Sequence, residues 1–354
     1  MDRPAQDHQI SVVIPVYQGE ATLGGMLREL EVWTRPFSTP DGHRAVVSEV
    51  LLVHDCGPDE SDRVIRKAAA SFDWVRPIWL SRNFGQHAAT LAGMSSSGGD
   101  WVATLDEDGQ HDPAELGGML DCAIAERADV VYARSLSSAP HGVLRNVASS
   151  MGKRSIRLLS GRAGAEMYHS YRFMLGDVAR SVAAFSGPGV YLDVALSWIC
   201  RNPTTTPVTL RENAERRSGY RWRTLASHYW RMVLTSGTRM LRLVSLLGVA
   251  LALVGLVLTV CVVVLRLTGH IDVSGWASAM VVALLSSGAI LFALGVVAEY
   301  IGVAVNMAMG KPLYLALGDR DLGPLGRRAA PDVHHDPDVH HDPDVHDDPE
   351  APQR

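Results

Sequence analysis

The 354-residue chain reads as an α/β domain with a mainly parallel sheet, followed by a two-helix transmembrane hairpin. Three observations predict this. Over the first 135 residues, apolar strand-like runs alternate with helical patterns. Two uncharged apolar runs of 23 residues follow, Leu243–Leu265 and Trp276–Ala298. Hydrophobic residues make up 47% and charged residues 20%, which supplies a sizeable core and excludes global disorder.

Strands are predicted at Ile10–Tyr17, Val46–Asp55, Val75–Ser81, Trp101–Asp106 and Asp129–Arg134. Helices fall between them, near 20–32, 59–71, 85–96 and 113–127. Alternation at this spacing gives a sheet covered on both faces, with ligands beyond the carboxyl ends of its strands. Residues 140–210 are less regular: a helix, a short extended piece, further helices and the run Thr204–Thr206. The domain therefore spans 1–210. Residues 211–242 form an arginine-rich juxtamembrane amphipathic segment with eight arginines and Tyr220, Trp222, Tyr229 and Trp230. The hairpin occupies 243–318. The tail, 319–354, repeats PDVHHD with Pro every sixth residue and no core-forming pattern, so disorder is expected there.

Each apolar run reaches ~34 Å at ~1.5 Å per residue, enough to cross a ~30 Å hydrocarbon core. The alternative is a pair of buried core helices, against which stands their apolar character all round. Basic residues flank the outer ends: Arg231, Arg239 and Arg242 before, Lys311, Arg320, Arg327 and Arg328 after. The ten-residue turn Arg266–Gly275 carries only Arg266. By the positive-inside rule, the α/β domain and the C-terminus face the cytoplasm of a cell membrane, with two passes. The polar N-terminus lacks a signal-peptide pattern, and four dispersed cysteines fit a reducing compartment. The net charge of −5 owes to the acidic tail; without 329–354 the balance is +2, which argues against a nucleic-acid partner.

The polar strand ends are where chemistry is expected. Asp106 and Asp108 lie two apart after the fourth strand, so they project the same way and suit a hard divalent cation completed by substrate phosphates. Asp55 ends the second strand, with Asp59 in the turn beyond. Tyr17 ends the first, after Pro15, and offers a ring where a base could stack. Arg82 follows the third and offers a guanidinium for phosphate or base. Neither GxGxxG nor GxxxxGK[ST] occurs, which removes the common dinucleotide and P-loop readings.

These segments resemble family-2 inverting glycosyltransferases, specifically the membrane-bound polyprenyl-phosphate sugar transferases of the dolichol-phosphate-mannose synthase, undecaprenyl-phosphate glucosyltransferase and aminoarabinose-transferase type. SVVIPVYQGE is similar to VIPVYNEE, VHDCGPDES to VDDGSxDxT, LSRNFGQHAATLAG to LxRNxGxxxAxxAG, and LDEDGQHDP to MDADLQHPP. Arg216-Arg217-Ser218-Gly219-Tyr220 looks like RxxGxSxY, and Glu299-Tyr300-Ile301-Gly302 with Lys311-Pro312-Leu313-Tyr314 like EYIGR…RPxY. The resemblance covers roughly 9–316. It implies a GT-A fold and a nucleotide-diphosphate sugar bound by Pro15, Tyr17, Glu20, Asp55, Arg82 and Asp106. It also implies Mg or Mn on Asp106 and Asp108, and a polyprenyl phosphate held by Arg216, Arg217, Ser218 and Tyr220. Arg172, Glu166 and Asp108 take catalytic roles, Arg172 as a cation that positions the acceptor phosphate. Membrane lipids are partners, and a homo-oligomer, a tetramer in the family, is implied.

Departures from the pattern carry information. His54, Cys56-Gly57, Gly19 and Val303 stand where the family has an acid, Gly-Ser, an acid and an arginine. Ser170 stands where many members carry an acid before Arg172, which leaves Glu166 as the nearest carboxylate. A phosphate monoester, with a second pKa of ~6, is already anionic at neutral pH and needs no general base, whereas an alcohol acceptor would. The missing acid thus favours a phosphate acceptor and leaves nothing at 170 that must take a proton. A glycolipid synthase, a polysaccharide chain extender and a non-enzymatic scaffold are the alternatives.

Overall fold

The computed structural model describes residues 7–135, 167–187, 190–211, 239–268, 275–310 and 312–319. Glu166, Arg216, Arg217, Ser218, Tyr220 and the His/Asp repeats lie outside the described residues.

Four parallel strands form the centre of a nine-stranded sheet: β1 (His8–Val16), β3 (Arg44–His54), β4 (Val75–Leu80) and β5 (Trp101–Thr104). β2 (Phe37–Ser38) pairs antiparallel with β3. Beyond β5 comes β7 (Arg172–Leu175), antiparallel to both β5 and β6 (Val130–Ser135), and then β8 (Pro203–Val208), parallel to β6. At the other edge β9 (Ala316–Leu317) pairs antiparallel with β4.

Both faces of the sheet are covered, so its central strands read as continuous apolar runs. Successive side chains of β1 and β3 alternate between two cores. Ile10, Val12, Ile14, Val50 and Leu52 enter one with α1 (Leu23–Glu31), α2 (Ser61–Ser71) and α4 (Leu116–Ala125). Val13, Leu51 and Val53 enter the other with α3 (Gln86–Ser95), α5 (Gly176–Phe185) and α6 (Leu192–Ile199). Gly93 lets α3 settle on β1: a Cβ there would lie 2.3 Å from a methyl of Val13.

The expected helix over 113–127 divides in two. Asp112 Oδ1 accepts from the Ala114 N–H at 2.9 Å and Pro113 opens a single 3₁₀ turn, which leads into α4. The short extended piece of the sequence reading is β7, whose antiparallel direction inserts Arg172 next to the end of β5. β2 and β9, two residues each, are too short to show a period.

Two long helices follow, α7 (Arg239–Leu267) and α8 (Trp276–Ala308), which contact each other. α8 runs ten residues past the expected end at Ala298. Its stretch long and apolar enough to cross a membrane is the 22 residues Leu285–Asn306, so Glu299 falls inside it. Only 6% of that stretch is buried, unlike a core helix of a soluble protein. In α7 the corresponding apolar segment, Val244–Leu258, is shorter. After α8 the chain returns to the α/β domain. The Ser81 N–H donates to Leu315 O at 2.8 Å, the Tyr314 hydroxyl to Ser95 Oγ at 2.8 Å, and Leu313 and Tyr314 pack against the second core.

Candidate active site

The ladder of β5 stops at Thr104, and Leu105 N still donates to Val13 O at 3.0 Å, so Asp106 is the first residue free of the sheet. Its carboxylate is held on both sides: Gln86 Nε2 donates to Oδ1 at 2.6 Å and Ser170 Oγ to Oδ2 at 2.6 Å. Its N–H donates to Nδ1 of His111 at 3.0 Å, which leaves the His111 proton on Nε2, 3.7 Å from Asp106 Oδ2. Burial, then the neighbouring His169, pulls His111 down to about 3, against the opposing pull of Asp108. The imidazole is therefore neutral and serves as a hydrogen-bond bracket. Asp108 sits one turn on, with Oδ1 accepting from Gln110 N at 3.1 Å and Gly109 at φ +74° closing the turn.

Glu107, between the two aspartates, lies in the turn that follows β5 and reaches towards the end of β1. It accepts from Tyr17 N at 2.7 Å and Gln18 N at 3.0 Å, tying the β5 end to the β1 end. Tyr17 itself is 41% exposed. Gly57 passes so close to Tyr17 that a Cβ would overlap its carbonyl oxygen, which explains glycine there.

Several residues expected to meet the donor hold the loops at the strand ends. Pro15 is buried inside β1, opposite Val53. Asp55 is 3% exposed, and its two oxygens accept from Phe84 N and Gly85 N at 2.7 and 2.8 Å, which folds the turn from β4 into α3. Burial raises its pKa, and those amides and Arg82 only partly offset it. Glu20 bridges two loops: Oε2 accepts from Glu60 N at 3.2 Å and its own N–H donates to Asp59 Oδ2 at 3.1 Å. Arg82 is exposed, with its guanidinium carbon 4.1 Å from the centre of the Phe84 ring.

Arg172 requires a correction. Expected to contact an acceptor phosphate, it is 4% exposed and paired with Asp193, Nε to Oδ1 at 2.6 Å and Nη2 to Oδ2 at 2.8 Å. Its Nη1 donates to Ser170 O at 3.0 Å, so the guanidinium braces the turn that carries Ser170. Asp193 comes from α6, far along the chain, and no motif marked it. Gln86 and Glu107 did lie in the quoted motifs; their contacts with Asp106 and with Tyr17 follow from loop geometry that the motif alone does not show.

The donor set fits a hard divalent cation. It consists of two partly exposed carboxylates on one turn with no thiolate, and each carboxylate oxygen carries two lone pairs, so one hydrogen bond per oxygen leaves room for a metal. Among the described residues no group of three or more His, Cys, Asp or Glu is placed to hold a metal unaided. Mg or Mn typically takes one or two carboxylates and leaves the remaining positions to water and substrate phosphate.

An acidic pair at the open end of a mainly parallel sheet covered on both faces is the arrangement expected of a GT-A domain. The profile of glycosyl transferase family 2 matches residues 11–179. The undecaprenyl-phosphate 4-deoxy-4-formamido-L-arabinose transferase of Pseudomonas paraeruginosa (strain DSM 24068 / PA7) is 31% identical over 316 residues, 86% of this chain and 88% of that one. Its namesake from Klebsiella pneumoniae (strain 342) is 30% identical over 312 residues, 86% and 92% of the two chains. A solved glucosyl-3-phosphoglycerate synthase from Mycobacterium tuberculosis is 16% identical and aligns with 66% of this chain and 78% of its own at a TM-score of 0.46. The chain belongs to glycosyl transferase family 2.

Proposed function

We propose that the protein moves a sugar from a nucleotide-diphosphate sugar to a polyprenyl phosphate with inversion, giving a polyprenyl-phosphate sugar for modification of a cell-envelope glycan or glycolipid. The observation that carries this reading is the Asp106/Asp108 site on a domain hydrogen-bonded to the segment that follows a long apolar helix. That linkage lets one site serve a water-soluble donor and a lipid acceptor. The relatives named above, which share most of their length with this chain, transfer their sugar to undecaprenyl phosphate by name.

Asp106 and Asp108 would hold Mg or Mn, whose charge stabilises a departing diphosphate. The chain's own groups do the rest. Tyr17 and Arg82, exposed at the ends of β1 and β4 on either side of β3, flank the donor. Arg216, Arg217, Ser218 and Tyr220 bind the acceptor phosphate, and their cations offset its repulsion from the donor diphosphate. A phosphate oxygen forms the new bond to the anomeric carbon as the bond from that carbon to the diphosphate oxygen breaks. The nucleoside diphosphate leaves with the electron pair. No proton has to be removed, so Glu166 acts as a local charge rather than as an obligatory base. The domain and both outer helix ends lie on the cytoplasmic side, and the assembly is a homo-oligomer, a tetramer by resemblance.

Membranes carrying the protein, given a panel of nucleotide-sugars and undecaprenyl phosphate, should yield a lipid whose mass equals polyprenyl phosphate plus one sugar. Sugar recovered only on a lipid alcohol or a glycan, with polyprenyl phosphate unmodified, would overturn the reading.

A further inference from the structure

Asp106 is the point where three separate hydrogen-bonded supports converge. Its backbone is held by His111, and each of its carboxylate oxygens by one neutral donor, Gln86 or Ser170. Each donor is in turn fixed from behind. Gln86 opens α3 directly after Phe84 and Gly85, whose N–H groups sit on the buried Asp55. Ser170 is fixed through its carbonyl oxygen, which accepts from Thr104 Oγ1 at 2.6 Å and from Arg172 at 3.0 Å, and Arg172 is locked to Asp193.

We propose that Gln86 and Ser170 are positioning residues that clamp the Asp106 carboxylate in the orientation that receives a divalent cation, an inference that rests on the metal reading of the site above. The two donors occupy one lone pair on each oxygen and leave the others for the cation. The chemistry at position 170 supports this. A carboxylate 2.6 Å from Asp106 would repel it or have to share a proton with it; a hydroxyl donates instead. Serine there converts a competing negative charge into a support. It also gives Asp55 and Arg172 a role without any contact to substrate, since each fixes one arm of the clamp.

Mn²⁺ titrated into the detergent-solubilised full-length protein with and without uridine diphosphate, against a protein-free control, and followed by the electron paramagnetic resonance of free Mn²⁺, tests the clamp directly. Outer-shell partners of a metal ligand typically contribute ~10- to 100-fold in affinity. Gln86→Ala and Ser170→Ala should each weaken Mn²⁺ binding by ~10-fold or more, and Ser170→Thr, which keeps the hydroxyl, should restore it. The Mn²⁺ concentration for half-maximal sugar transfer should rise in parallel. Gln86 is exposed at a helix start, so its alanine variant keeps the fold and the test stays decisive. Alanine variants that bind Mn²⁺ as tightly as a binding wild type would overturn the clamp and leave the metal reading intact. A wild type that binds no Mn²⁺ would overturn both.

Discussion

Arg172 and Asp193 meet as a bidentate ion pair between β7 and α6, with both side chains at or below 5% exposure. A guanidinium paired this way is unavailable to a substrate phosphate. It acts through Ser170, whose carbonyl oxygen it holds, and so supports the acidic end of β5 from below.

The pair should behave as a unit of stability. Removing one partner of a buried ion pair leaves an unpaired charge and typically costs ~3–5 kcal/mol. Arg172→Ala and Asp193→Ala should each lower the thermal unfolding midpoint of the full-length protein, and the double variant should lose far less than the sum. Arg172→Ala with an unchanged midpoint and abolished transfer would restore the phosphate-contact role expected from sequence.

Metal dependence is tested at the other aspartate. Asp108→Ala should reduce transfer by at least ~100-fold, because the diphosphate charge loses its counter-cation. Excess EDTA should do the same to the wild type, with activity returning on added Mg²⁺ or Mn²⁺. Full turnover in EDTA would remove the cation from the mechanism.

The proposed two-pass topology is tested at the turn and at the C-terminus. Reporters fused after Arg354 and within 269–275 should report opposite sides of the membrane, the first on the side of the α/β domain. Reporters on the same side would break the hairpin.

Glu49 gives the fold an acid-labile support far from the site. Burial alone would raise its pKa, but the Gly98 N–H, Ser11 hydroxyl and Arg76 guanidinium outweigh burial and hold it below its ordinary 4.5. A carboxylate depressed in the folded state contributes stability that is full above pH ~4.5 and is lost as the pH falls through the folded value. Glu49→Gln should therefore lose ~1–3 kcal/mol at pH 7 and show a flatter fall in unfolding midpoint between pH 6 and 3 than the wild type. Parallel curves for the two proteins would count against this account.

Much of the protein is written locally in its sequence. β1 and β3 are legible because strands buried on both faces must be apolar throughout. Asp106 and Asp108 are legible because they stand two apart in one contiguous motif after a strand, and the other family motifs are legible because each is contiguous. The long helices are legible because each is apolar on every side over many turns. What only the tertiary structure decided depends on partners distant in the chain. Arg172 reads as a phosphate contact until Asp193, 21 residues on, claims it. That Asp55 is buried and holds the β4–α3 turn appears only once the fold brings two amides about 30 residues away onto its oxygens. The Gln86–Asp106–Ser170 clamp joins residues 20 and 64 apart, and β9 needs only two residues once β4 offers an edge. Propensity and periodicity act over neighbouring residues, whereas the role of a charge is set by whichever opposite charge or donor the fold brings within ~3 Å, and that proximity exists only after the chain has folded.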